Sequence, residues 1–364
     1  MSIQVHFTEE DWERIRRDWT AWWAGELDRP MVVVENWEPP PDAFLPAYYF
    51  WEDIVPAIFP LEAAADQVID YFQTFLEAKR FYGDAFPKWW LNFGPGIVAG
   101  FLGTKVYAVP GTVWFEPSSQ VNLSDLHLVY DADNVWWKRV QELTRVAGEC
   151  WGSNVAVGHT DLGGNLDILA SLRTTQQLLF DVLEAPEEVE RLAREITHLW
   201  LRYYEELFTV VRQNGRGTTP WAGIWSPGRC YMLQCDFSYM ISPKMFERFV
   251  LPDLEACCEM LDHGFYHLDG KGEIAHLDML LSLERLRGIQ WVPGDGAPPP
   301  EEWLPLLKRI RDGGKLCQLS VTPQGALTIV RELGGRGFAF HILEAMTCQD
   351  AQNFIKSLYT EGKK

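Results

Sequence analysis

The sequence predicts an α/β protein built as a (β/α)8 TIM-type barrel with an N-terminal helical extension. Three observations predict it. Strand-like runs rich in β-branched and aromatic residues alternate with helical stretches long enough for βαβ crossovers and parallel pairing. The runs number eight, two early ones and six in regular alternation, which favours a closed barrel over an open sheet. The Gly-rich segment Gly334-Gly335-Arg336-Gly337 precedes a strand instead of opening a helix, so it lacks the context of a dinucleotide phosphate loop. A chain of 364 residues fits one barrel over residues 61–364 and an extension over residues 1–60 packed on it.

In chain order, Thr8-Glu9-Glu10-Asp11 opens an amphipathic helix that runs to about Leu27. It has a capping threonine, early acids, and Trp12, Ile15, Trp19, Trp22 and Trp23 at helical spacing. Pro30-Met31-Val32-Val33-Val34-Glu35 is the first strand. The stretch from Pro39 to Pro60 carries too many prolines for regular structure and is expected to wrap the surface. A helix follows from Leu61 to Tyr82, and Thr112-Val113-Trp114-Phe115, between Gly111 and Pro117, is the second strand. Helix Asn134 to Cys150 leads to strand Asn154 to Gly158. A helical stretch from Thr175 to Asn214, broken near Pro186, leads to strand Trp221-Ala222-Gly223-Ile224-Trp225. Helix Pro243 to His263 leads to Phe265-Tyr266-His267-Leu268-Asp269-Gly270. Strands Ile289 to Val292, Leu316 to Leu319 and Gly337 to His341 then alternate with helices Ala275 to Leu286, Glu301 to Asp312 and Gln324 to Leu333. A last helix runs from about Cys348 to Tyr359.

Composition narrows the function classes. Hydrophobic residues make up 47% of the chain, enough for a substantial core. No apolar run approaches the ~20 residues that span a bilayer. With 32 basic and 51 acidic residues, the net charge of 32 − 51 = −19 repels a phosphate backbone or an anionic membrane. Neither nucleic acid nor membrane is an expected partner. Seven scattered cysteines do not make a disulfide framework. The start, Met1-Ser2-Ile3-Gln4-Val5-His6, has neither the basic nor the apolar segment of a signal peptide, so a cytoplasmic protein is expected. The 17 tryptophans, many of them before Trp151, suit a core, a homodimer interface or a platform that stacks a flat ligand.

Active sites of such barrels lie at the C-terminal ends of the strands. Those ends carry His159-Thr160-Asp161, Trp225-Ser226, His267-Leu268-Asp269, Trp291 with Asp295, Cys317-Gln318, and His341 with Glu344. His267 and Asp269 are two residues apart on an extended strand, so both point to one face. With His341 they offer two imidazoles and a carboxylate, a set that suits Zn²⁺ or another divalent ion with one position open. The same residues also fit a site without metal, in which Asp269 orients a histidine or binds substrate directly. Glu344, Cys317 and Cys230 are further ligand candidates. His263 and His276 fall on expected helices and are read as structural.

These motifs resemble the uroporphyrinogen decarboxylase superfamily, which holds cofactor-free decarboxylases and zinc-dependent methyltransferases serving corrinoid proteins. The resemblance covers the chain from about Asp131 onward. It rests on Gly158-His159-Thr160-Asp161-Leu162-Gly163-Gly164 with Leu178 and Pro186, and on Asp236-Phe237 followed by Ile241-Ser242-Pro243-Lys244-Met245-Phe246. Leu251-Pro252 and His267 complete it. The methyltransferase branch is similar in placing a His-x-Cys pair and a distant Cys on zinc. Here the resemblance puts Asp269 and His341 where those sulfurs would be, which implies a harder, more electrophilic site. Such a site favours polarising an oxygen or nitrogen leaving group over activating a thiol. The Arg-rich segment of a true uroporphyrinogen decarboxylase has no counterpart near Pro30 to Trp37, since Arg16 and Arg17 lie on the first helix.

Three functions follow as expectations. The first is a metal-dependent methyltransferase acting on a small O- or N-methylated substrate, with a corrinoid carried by a partner protein as acceptor. In it His267, Asp269 and His341 hold the ion, while His159, Asp161, Trp225, Trp291, Gln318 and Glu344 shape the pocket. The second is a cofactor-free decarboxylase of a small carboxylic acid, with Asp161 or Asp269 as the acid and Arg173 or Arg229 clamping the anion. The third is a binding barrel without turnover that uses the Trp-rich N-terminal region to stack a ligand.

Overall fold

The computed structural model describes residues 3–38, 54–109, 111–119 and 121–362. Most of the proline-rich stretch from Pro39 lies outside the described residues; within its described end, Val55–Ile58 is a short helix.

Helix α1 (Glu9–Trp23) starts on a capping box. The Thr8 hydroxyl accepts from the Asp11 backbone N–H at 3.2 Å, and the Asp11 carboxylate accepts from the Thr8 N–H at 3.0 Å. Its apolar stripe, Trp12, Ile15, Trp19, Trp22 and Trp23, is buried. These rings pack on Met31, Val33, Phe265 and Ala339 from three strands, so α1 forms the base on which the sheet stands.

Among the described residues eleven strands follow: β1 (Met31–Trp37), β2 (Lys79–Gly83), β3 (Lys88–Trp90), β4 (Lys105–Val109), β5 (Thr112–Glu116), β6 (Ala156–Gly158), β7 (Cys230–Leu233), β8 (His263–Asp269), β9 (Leu286–Val292), β10 (Leu316–Val321) and β11 (Phe338–Ile342). The main sheet has the order β2-β1-β11-β10-β9-β8-β7, parallel throughout except for the β1–β2 pair. β3 and β6 form a separate parallel pair. The fold is therefore α/β with a central parallel sheet, and among the described residues the ladder is not closed. β1 lies inside the sheet between β2 and β11, which joins residues 31–37 to it.

Local physics decided three segments differently from the expectation. Thr112–Phe115 does form a strand, β5, but it pairs antiparallel with β4 as a hairpin outside the main sheet. Its alternation shows why: Trp114 is 61% exposed, whereas a central parallel strand is covered on both faces. The expected strand Trp221–Trp225 is a loop. Thr218 and Ser226 close its neck with backbone hydrogen bonds of 2.8 and 2.9 Å, and Gly223 adopts φ +68°, outside strand geometry. Its apolar residues are buried because the loop folds inward, with Ala222, Ile224 and Trp225 packed against α1. The helix expected to reach His263 instead breaks into Pro243–Phe249 and Leu251–Met260, each with proline in its first turn. His263 is the first residue of β8 and stacks on Trp23 at 4.2 Å. No helix among the described residues is long and apolar enough to cross a membrane.

Candidate functional site

Parallel register lines up one polar residue from each of three neighbouring strands. His267 sits opposite Gln290, and Gln290 opposite Gln318. All three face a cleft of about 860 Å³, joined there by Asp269, His341, Glu35 and Lys88. The inward loop supplies the floor. Trp221 meets the His267 ring edge-on at 5.1 Å, and the Ala222 carbonyl accepts from Gln318 at 2.8 Å. A Cβ on Gly223 would lie 2.7 Å from Lys88 Cε and 3.2 Å from His341 Cε1, and the φ of +68° at this close approach favours glycine. Trp37, Trp89 and Trp90 line the walls.

At the rim, Asp236, His267 and Asp269 converge, each offering a ligand atom within 4.8 Å of the others. His267 Nε2 is 4.0 Å from Asp269 Oδ2. Asp236 follows β7. Its carboxyl reaches solvent yet is crowded by protein; desolvation raises its pKa, His267 lowers it and Asp269 raises it. Sequence reasoning quoted Asp236 within a motif without assigning it a role. The signal was its place just past a strand end, and that strand, β7, was itself unread. Gln290 was also passed over in favour of its neighbour Trp291.

The structure brings His267, Asp269, Asp295, Gln318 and His341 to the cleft, whereas His159, Asp161, Arg173, Trp225, Arg229, Trp291 and Glu344 are not among its lining residues. His341 lies apart from the rim cluster, linked to Gln318. Burial, then the Lys88 charge, pushes its pKa down to about 3, so it stays neutral. His159 is fully buried, stacked on Tyr204 at 4.5 Å. Trp225 belongs to the base cluster. Trp291 points out of the opposite face of β9, fully buried against Trp303. Glu344 is exposed beyond β11. Arg173 is bound to Asp181 at 2.8 Å and Arg229 to Glu205 at 2.8 Å, so each guanidinium already holds a carboxylate. Cys230 and Cys317 are buried, and burial pushes both thiols up, away from the thiolate a metal requires.

Asp161 lies behind the rim. Its carboxylate accepts from the Gly163 N–H at 2.8 Å and from Tyr231 at 3.3 Å. Burial, with repulsion from Asp236 added, pushes it from its ordinary 3.8 to about 7. Asp167 near it, and Glu273 near Asp167 and Asp236, are raised to about 8 and about 9, again chiefly by burial. For a raised carboxyl the stabilising form is the protonated one. Its contribution is complete below the unfolded pKa and is lost as pH rises to the folded value. Asp161→Asn is therefore expected to raise the melting temperature relative to wild type increasingly between about pH 4 and pH 7. Calorimetry at pH 4, 6 and 8 checks this, and a constant offset would sink it.

No protein-family model and no curated protein sequence matches the chain. Its three-dimensional structure matches a methyltransferase from Methanosarcina mazei with a TM-score of 0.61 and 11% sequence identity, covering 95% of this chain and 98% of that one. At that identity the likeness speaks for the fold alone: this chain shares the α/β architecture of that protein.

Proposed function

We propose that the chain is a metal-dependent methyltransferase-like enzyme of the uroporphyrinogen decarboxylase superfamily, acting on a small O- or N-methylated substrate. The observation that carries this is the convergence of Asp236, His267 and Asp269 at the rim of a deep cleft in a methyltransferase-like fold. One imidazole and two carboxylates form a hard donor set that suits Zn²⁺ or another divalent ion. When bound, such an ion withdraws electron density from the substrate heteroatom that carries the methyl group. The chain supplies the rest. Trp37, Trp89 and Trp90 present apolar walls to the substrate. Trp221 Nε1, buried without a partner among the described residues, is a donor for an acceptor atom on it. The acceptor of the methyl group in this reading is a corrinoid held by a partner protein. We infer further that β1, β3 and β6 to β11 are the eight strands of a (β/α)8 barrel, a reading supported by the parallel run from β7 to β1 and by the β3–β6 pair. Seven free cysteines fit a cytoplasmic setting.

The test is metal binding by protein without a histidine tag, with Zn²⁺ and Co²⁺ titrations of wild type, Asp236→Ala, His267→Ala and His341→Ala. Wild type is expected to bind one equivalent. Outer-shell partners of metal ligands are worth ~10–100-fold in affinity, so losing His267 or Asp236 should cost more than about 100-fold. His341→Ala should retain the ion. Wild type that binds neither metal would remove the proposal, and loss in His341→Ala alone would move the ion to the other end of the cleft.

A further inference from the structure

We infer that a backbone carbonyl on the cleft floor sets the tautomer of His267 through two glutamines, making Gln290 and Gln318 positioning residues for the metal site. The inference rests on the metal reading above for its purpose, though not for its geometry.

The chain of contacts is continuous. Gln318 Nε2 lies 2.8 Å from the Ala222 carbonyl and 3.0 Å from His341 Nε2. Gln290 Nε2 lies 3.1 Å from Gln318 Oε1, and Gln290 Oε1 meets His267 Nδ1. The oxygen and nitrogen of a glutamine amide are told apart by their partners. Here one partner permits a single answer, because a backbone carbonyl only accepts. The Gln318 atom facing Ala222 must therefore be the NH₂.

Each later step follows from the one before. With its NH₂ toward Ala222, Gln318 turns its oxygen to Gln290, so Gln290 donates there and presents its own oxygen to His267. An amide oxygen accepts, so His267 Nδ1 must carry the proton, and in the neutral ring Nε2 is left with a lone pair. That nitrogen faces the rim, 4.0 Å from Asp269 Oδ2. Metal-ligating histidines commonly donate their other ring N–H to a fixed acceptor, which holds the tautomer and the ring plane. The second hydrogen on Gln318 Nε2 points at His341 Nε2, which must accept, so His341 also carries its proton on Nδ1. The Gln290–Gln318 and Gln318–Ala222 links are buried, with Gln290 and Gln318 5% and 1% exposed.

The experiment is long-range ¹H–¹⁵N correlation of the histidine rings in metal-free, ¹⁵N-histidine-labelled protein, with His267→Ala and His341→Ala assigning the signals. In wild type both rings are expected to show a protonated Nδ1 and a bare Nε2. Gln318→Leu removes the acceptor that orients Gln290, so His267 should shift toward the Nε2–H form and Zn²⁺ affinity should fall by about tenfold. Gln318→Glu keeps an oxygen toward Gln290 but offers no NH₂ to His341. In that variant His267 should keep its tautomer while His341 moves its proton to Nε2, a split that a merely space-filling Gln318 does not produce. A wild-type His267 protonated on Nε2, or tautomers unchanged in both folded variants, overturns the inference. Tautomers as expected in a protein that binds no metal would leave the relay standing and remove the metal reading alone.

Discussion

Gly164→Ala is expected to destabilise the fold by about 3 kcal/mol or more, in the range of severe overpacking. Gly164 has φ −89°, an ordinary conformation, so backbone preference is not the cause. Space is. An added Cβ would stand 2.1 Å from the Gln234 carbonyl oxygen and 2.7 Å from Asp167 Oδ2. Backbone cannot give way there without moving the end of β7. Asp167 holds that end by accepting the N–H groups of Asp236 at 3.0 Å and Phe237 at 2.8 Å, so the strain passes directly to a proposed metal ligand. Urea denaturation together with Zn²⁺ titration measures both effects. A variant as stable as wild type would mean that the β6 and β7 ends do not approach as described.

Glu35→Gln is expected to cost about 3 kcal/mol at neutral pH, the lower end for breaking a buried ion pair because the cleft admits some water. Glu35 contacts Lys79 at 3.1 Å and, more closely, Lys88; the side chains are 20%, 12% and 15% exposed. Burial lowers the Lys88 pKa, and the Glu35 charge opposes that shift. Without the carboxylate the folded-state pKa of Lys88 drops further. The unfolded chain then binds more protons than the folded one, so stability must rise with pH across that window. Melting temperatures of the variant should therefore recover toward wild type between about pH 7 and pH 10. A deficit that stays constant over that range would show that Lys88 is not the group left exposed to the penalty.

The sequence made some of this architecture legible and hid the rest for identifiable reasons. The parity of His267 and Asp269 was readable because a strand repeats every two residues. Parity does not say which face of a strand looks inward when both faces are buried, and β9 shows the result: the aromatic Trp291 suggested a pocket wall, while Gln290 occupies it. The segment Trp221–Trp225 was misread because a buried loop and a buried strand carry the same apolar signature. β3 is three residues long and opens with Lys88, too short and too polar to register as a strand. Asp236 and His267 are brought together only by the pairing of β7 with β8, so no local spacing announces them.

The inward loop has a consequence for how this protein could acquire new substrates. This loop forms the floor of the cleft while Ile224 and Trp225 bury its far side against α1. Its ends are clasped to each other at Thr218 and Ser226, while its tip, Trp221 to Gly223, fixes how deep the cleft runs. Trp221 presents its side chain to the cleft while Ala222 is tied to β10 through Gln318, so a substitution at Trp221 would reshape the floor and leave that tie in place.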